Sequence, residues 1–245
     1  MKFPKVNIFL ILIIVLAALV RFVNLGQIPI GFNDDEAAFG YNAFSIIKSG
    51  FDEWGSVLPF PAFESFGDWK LVFYLYLTVI SQFIFGTSEF ATRFPSAIFG
   101  VLTVIATYFL AKELFKESNW KLESEVLLRK IGKVSLAFAK WKLEIAHVAA
   151  LLVAISPWHI VASRNAFESD LLSFFITLGT YFFLRSFSKK NYLYLTTLLF
   201  TITLYVYRSS WLFVPIFVLV LSYLFRDKFQ KSNGLIFKNL VLAFV

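Results

Sequence analysis

Four groups of polar residues in this chain have the types and spacing for chemistry. Asp34-Asp35-Glu36 is a run of three carboxylates. Asp68 stands two residues before Lys70, Arg164 is followed by Glu168 and Asp170, and Tyr205, Tyr207 and Arg208 close the set. A carboxylate can take the proton of a hydroxyl or amine as that group attacks. Arginine and lysine can hold a phosphate and stabilise the charge that develops when it leaves. Acids and cations together therefore suit group transfer from a phosphate-bearing donor. Each residue also has a plainer reading. Asn33 or Asp34 caps a helix with Glu36 in its first turn, and Asp170 caps a later helix. Arg164 and Glu168, four apart, form an ion pair. Lys70 extends its ammonium from an interfacial segment toward water. Asp52-Glu53 is solvated in a Gly-flanked loop, Trp158 and His159 belong to an interfacial belt, and His147 is interfacial too. The grouping, more than any single residue, carries the chemistry.

The elements that must position these groups are set by composition. Of 245 residues, 58% are hydrophobic and 20% aromatic, with 32 phenylalanines. Mean hydropathy is +0.72. A soluble globule needs more polar surface than that, so the expected class is an all-α polytopic membrane protein. With no cysteine there is no disulfide, thiolate zinc site or thiol catalysis. The net charge of +7 reads as basic cytoplasmic loops, not as a nucleic-acid surface.

Hydropathy and charge predict one transmembrane domain over 1–245, with spans near 6–23, 95–111, 146–162, 171–187, 192–207 and 211–225. A further apolar run, 235–245, is incomplete, which suggests the N-terminal part of a longer protein. Residues 24–92 hold eight acids against Lys48 and Lys70, whereas 112–144 holds eight basic residues. The positive-inside rule makes 112–144 a cytoplasmic loop, in which an amphipathic stretch rests on lipid, and 24–92 an extracytoplasmic one. With Lys2 and Lys5 holding the N-terminus in the cytoplasm, only two spans precede the basic loop. Segment 71–86 therefore lies in the outer interface. Ala37 to Ile47 reads as a short amphipathic helix ended by Ser49-Gly50, and Pro95 as the first turn of the second span. This arrangement puts all four polar groups on one face of the membrane, where a shared polar cavity accounts for charges at span ends.

Several motifs resemble the GT-C class of integral-membrane glycosyltransferases, in particular the protein O-mannosyltransferase-like and lipid A aminoarabinose transferase-like families. They are Arg21-x-x-Asn24-Leu25-Gly26, Asp35-Glu36-Ala37 with Gly40-Tyr41, and Ser65-Phe66-Gly67-Asp68-Trp69-Lys70. Glu89-Phe90-Ala91-x-Arg93-Phe94-Pro95-Ser96-Ala97, Ser156-Pro157-Trp158-His159 and Ser163-Arg164-x-Ala166-Phe167-Glu168 extend the resemblance through nearly the whole chain. It implies a GT-C-like helical bundle with a long first extracytoplasmic loop containing interfacial helices. It also implies an inverting transfer from a polyprenyl-phosphate-linked sugar. By the same resemblance Asp35 matches the acceptor-activating carboxylate, Glu36 its neighbour and Glu168 a second acid. Lys70 matches a donor-phosphate lysine, and Arg208 is a further candidate for that task. In the aminoarabinose transferases a glutamate implicated with a metal precedes the lysine. Trp69 stands there in this chain, which leaves the metal open.

The expected function is a multi-pass cell-membrane glycosyltransferase of cell envelope glycosylation, active at the extracytoplasmic face. Asp35, Glu36 and Glu168 form its catalytic set. Lys70, Arg164 and Arg208 bind the donor phosphate, and Asp68, Tyr41 and Tyr207 support them. The expected partners are the lipid-linked sugar donor, the bilayer and a lipid, glycan or protein acceptor, with no nucleic acid. No cofactor is required by the sequence. A transporter or flippase of lipid-linked sugars is the alternative, disfavoured because no span shows a Gly/Pro break flanked by an acid at mid-membrane. A diphosphate-using oligosaccharyltransferase is a third, and the sequence has no Trp-Trp-Asp motif.

Overall fold

The computed structural model describes residues 8–116 and 145–226. Most of the basic loop, with its amphipathic stretch, and the run 235–245 lie outside the described residues. Those described form nine helices and one hairpin: α1 (Ile8–Phe22), α2 (Asp34–Ser49), β1 (Ala62–Ser65), β2 (Asp68–Leu71), α3 (Val72–Phe85), α4 (Glu89–Leu114), α5 (Ile145–Ile155), α6 (Pro157–Arg164), α7 (Glu168–Ser186), α8 (Tyr192–Val206) and α9 (Ser210–Leu224). Of these, α4 is long and apolar enough to cross a membrane, and the pair α5–α6 is a second such element if counted as one. Helices α1, α3, α8 and α9 are apolar but shorter.

Small residues let α1, α4 and α5 approach closely. Ala17, Ala146, Ala150 and Ala154 pack with Ile13, Val104 and Tyr108 in one cluster. Farther along, α7 lies against α4 and α8. Gly179 on α7 is needed there, because a Cβ at that position would come within 2.6 Å of the Phe200 ring on α8. A second cluster joins Phe39, Ala43 and Ile46 of α2 to Val72, Tyr74 and Leu75 of α3 and to Leu171 and Phe175 of α7. It forms the floor beneath the polar residues described below.

The structure departs from the sequence expectations in several local ways. The class is not purely helical, because Ala62–Ser65 and Asp68–Leu71 pair antiparallel. Their turn, Phe66-Gly67, has φ of 53° and 72°, the double positive φ of a tight hairpin turn that matches strand twist. Helix α2 is longer than 37–47. Of the two expected caps Asn33 is the one used, and its capping box with Glu36 adds the first turn. Gly50 closes it with φ 80°.

Pro95 lies inside α4, because the helix starts earlier, at Glu89, under a Ser88 cap. Proline leaves the Ala91 carbonyl without its helical donor, and the Ser81 hydroxyl of α3 donates to it at 2.6 Å. The segment expected as one helix over 146–162 breaks at Ser156-Pro157 and bends by 56°. Asp52 is buried, accepting from the Trp54 and Ser56 amides at 3.0 and 2.7 Å, and Glu53 accepts from Asn42. His147 is buried against Phe9 and Tyr108.

Candidate functional site

Lys70 is the centre of the site, and the hairpin aims it. Strand alternation puts Lys70 on the same face as its cross-strand partner Phe63, which is fully buried. Only 8% of the Lys70 side chain is exposed, so it does not extend into water as expected. Its Nζ donates to Asp35 Oδ1 at 2.6 Å and to Asp68 Oδ2 at 3.2 Å. Burial opposes the ammonium, but the bonds to Asp35 and Asp68 outweigh it and hold the Lys70 pKa above the ordinary lysine value. The Lys70 hydrogen bond in turn holds Asp68 below the usual carboxylate range. Asp35 sits in the first turn of α2, where the helix N-terminus favours negative charge. An ammonium has three donors, and two are used here.

Arg208 and Glu168 complete the cluster. Arg208, in the α8–α9 junction, brings Nη1 to 3.8 Å from Asp68 Oδ1 and is 58% exposed. Glu168 is the first residue of α7. Burial, reinforced by the charges of Asp35 and Asp68 and opposed by Lys70, pushes its pKa up to about 7. Five of the residues expected from the sequence therefore share one electrostatic site: Asp35, Lys70, Asp68, Arg208 and Glu168. The Lys70 ammonium bridges Asp35 and Asp68. Among the described residues, no group of three or more His, Cys, Asp or Glu side chains is placed to hold one.

Four expected residues are placed differently. Glu36 is 1% exposed and bidentate to Arg93, with Nε–Oε1 at 2.7 Å and Nη2–Oε2 at 3.0 Å. It also accepts from the Ala166 and Asn33 amides at 3.0 and 3.2 Å. Arg93 donates further to the Leu25, Pro29 and Gly31 carbonyls and to Glu89. The pair thus ties α4 to the start of α2, to the preceding loop and to the α6–α7 corner.

Arg164 donates to five carbonyls at the end of α1 and beyond it: Val20, Arg21, Val23, Asn24 and Ile28. It makes no ion pair with Glu168, because the chain breaks between α6 and α7 and the two residues do not share a helix. Tyr41 is 57% exposed on α2, and its hydroxyl makes no hydrogen bond among the described residues. Tyr207 caps the C-terminus of α8 through its backbone N–H.

The role of Arg93 was not visible from its motif alone. A signal existed: an arginine four residues after Glu89, at the start of the most apolar long helix, needs a partner. Arg21 carried the same signal. It is fully buried, and His159, expected in an interfacial belt, lies 2.9 Å from it. Asp170 was expected to cap α7, but it is buried in the first turn and its side chain makes no cap bond.

Residues 71–122 match the family model of dolichyl-phosphate-mannose-protein mannosyltransferase. The matched stretch begins at Leu71, directly after Lys70, and includes α3, α4 and Arg93. It links the chain to membrane glycosyltransferases, as the motifs suggested. No curated protein matches the chain.

Proposed function

We propose that the chain is part of a GT-C-type membrane glycosyltransferase, a single transmembrane domain moving a sugar from a polyprenyl-phosphate donor to a hydroxyl acceptor. In this reading the N-terminus is cytoplasmic, 24–92 is extracytoplasmic and the site faces outward. Asp35 removes the acceptor proton while the acceptor oxygen bonds to the anomeric carbon. The bond from that carbon to the phosphate oxygen breaks, and polyprenyl phosphate leaves with the electron pair. Attack opposite the leaving phosphate inverts the anomeric centre. The free N–H of Lys70 and the exposed guanidinium of Arg208 stabilise the charge on the phosphate. Asp68 holds Lys70 in place when Asp35 takes up its proton. Glu168, poised near neutrality, is the second acid, and Glu36 serves the site by fixing the turn that presents Asp35.

The 2.6 Å contact of Asp35 with Lys70 carries this reading. A carboxylate beside an ammonium supports it, because the transfer needs a proton acceptor next to a cation that can bind phosphate. The test is a radiolabelled polyprenyl-phosphate sugar assay on the membrane-inserted full chain. Labelled acceptor and free polyprenyl phosphate are expected from the parent. Asp35→Asn is expected to lose about 100- to 10,000-fold in turnover. Undiminished turnover in that variant overturns the assignment of the base.

Transport of lipid-linked sugars is a second reading with an observation in its favour. The broken pair α5–α6 has Arg21 at its break and Asp170 nearby, the type of discontinuity used by transporters. Label that changes sides of a vesicle without reaching an acceptor favours transport.

A further inference from the structure

Behind the carboxylate site lies a second polar cluster that the proposed transfer does not use. Pro157 has no N–H, so the break between α5 and α6 leaves the Val153 carbonyl without its helical donor. Arg21, entering from α1, supplies what is missing. Its Nη2 donates to Val153 O at 3.3 Å, and its Nη1 to Ala154 O and Ala17 O, both at 3.1 Å. Room for this comes from Gly100 on α4, where a Cβ would lie 2.9 Å from Arg21 Nε and 2.5 Å from Ser163 Cβ.

The same guanidinium fixes the state of His159. Arg21 Nη2 lies 2.9 Å from His159 Nδ1. Guanidinium can only donate, so Nδ1 must carry the lone pair. The ring is then neutral, with its proton on Nε2. That Nε2 faces Asp170 Oδ1 at 3.8 Å. Among the described residues, neither His159 Nε2 nor Asp170 Oδ2 has a hydrogen-bond partner, although both atoms are buried. The gap exceeds a direct hydrogen bond by less than an ångström, so a small shift or one bridging water closes it. Arg21 and Asp170 compensate each other's charge across the ring. Asp170 is two residues after Glu168, in the first turn of α7.

We infer that Arg21, His159 and Asp170 are positioning residues, a buried relay that sets the first turn of α7 and so holds Glu168 against the Asp35–Lys70 site. The α6–α7 corner is pinned on its other side where Ala166 donates to Glu36. Ser96 donates to the Phe167 carbonyl at 3.4 Å and Leu171 is fully buried, and the relay adds a polar hold on the first turn of α7 itself. The consequence for turnover rests on the glycosyltransferase reading. The consequence for geometry does not.

The absence of cysteine allows a clean test. Nitroxide labels on Phe66→Cys and Ser169→Cys, both exposed positions, report the distance from the hairpin turn to the start of α7 in the solubilised full chain. His159→Asn keeps an acceptor near the Nδ1 position for Arg21 but removes the Nε2 donor. Asp170→Asn removes the charge and keeps the shape. Each is expected to broaden or shift the distance distribution and to lower kcat by about tenfold, with KM for the donor changed less than about twofold. The double variant is expected to be no worse than either single one, since both cut the same relay.

Unchanged distributions in both single variants overturn the inference, and so do additive effects in the double variant. If Asp170→Asn does not insert, His159→Asn decides alone, because it leaves both buried charges in place. A parent without transfer activity defeats the glycosyltransferase reading, while the distance measurements still decide the relay.

Discussion

Asp35 and Glu36 leave the same helical turn in directions that give them opposite surroundings. Asp35 is 41% exposed and shares a lysine with Asp68. Glu36 is 1% exposed and takes hydrogen bonds from Arg93 and two backbone amides. A carboxylate with four donors around it has no lone pair left to accept a proton from substrate. One that faces water beside a single ammonium does. Adjacent acids of one motif thus divide into an accessible group, which we propose as the base, and a group whose hydrogen-bonding capacity is already filled.

The largest expected effect breaks that pair apart on two separate observables. Glu36→Gln leaves the buried Arg93 guanidinium only the partly exposed Glu89 as counter-charge, and Arg93→Met leaves the Glu36 carboxylate buried with none. Cutting a buried pair on one side costs about 3–5 kcal/mol. Both variants are expected to unfold at markedly lower temperature in detergent, and activity is lost with the fold. Asp35→Asn is expected to lower the melting temperature far less, since Asp35 is 41% exposed and Asp68 still pairs with the buried Lys70. Thermal unfolding followed by tryptophan fluorescence measures the difference. A stable Glu36→Gln beside an unstable Asp35→Asn reverses the two assignments.

A smaller effect sharpens the contrast between Asp35 and Glu168, the first residue of α7, whose pKa the Asp35 charge helps to raise. The Glu168 pKa is raised from an ordinary 4.5 to about 7 in the folded protein. A carboxyl with a raised folded value favours the fold while neutral. Its contribution is complete below the unfolded value and is lost as pH rises through about 7. The parent is therefore expected to melt at lower temperature at pH 8 than at pH 6, and Glu168→Gln is expected to reduce that difference, the remainder belonging to Asp170, whose pKa burial also raises to about 7. Turnover of the parent is expected to show an ionisation near pH 7 that Glu168→Gln lacks. A pH profile identical in the two proteins removes Glu168 from the site.

Much of this arrangement could be read locally and little of it at long range. The capping box is written in Asn33-x-x-Glu36, the end of α2 in Gly50, and the approximate helix positions in the apolar runs. What Glu36 binds is not local, because Arg93 lies on another helix and only the fold brings the two together. The proline at 157 announces a break, yet an apolar run of ordinary span length hid it. The hairpin was missed because only four residues on each side alternate, too few to stand out beside the apolar segment that follows. Once folded, that hairpin delivers Lys70 to Asp35, so the main contact of the site depends on the element least evident in the sequence.

Arg208 supplies the smallest expected effect and the finest test of the exposed side of the comparison. Its guanidinium is 58% exposed and 3.8 Å from Asp68, too far and too solvated to stabilise the fold appreciably. If it contacts donor phosphate, the loss should appear in binding. Arg208→Gln is expected to raise KM for the lipid-phosphate donor by roughly fivefold, about 1 kcal/mol. The effect is expected to shrink as salt is added, because exposed charges are screened, while kcat and melting temperature stay near the parent values. Steady-state kinetics at low and high ionic strength measure this. A fall in kcat at constant KM places Arg208 instead among the groups that act only in the transition state, beside Lys70 and not ahead of it.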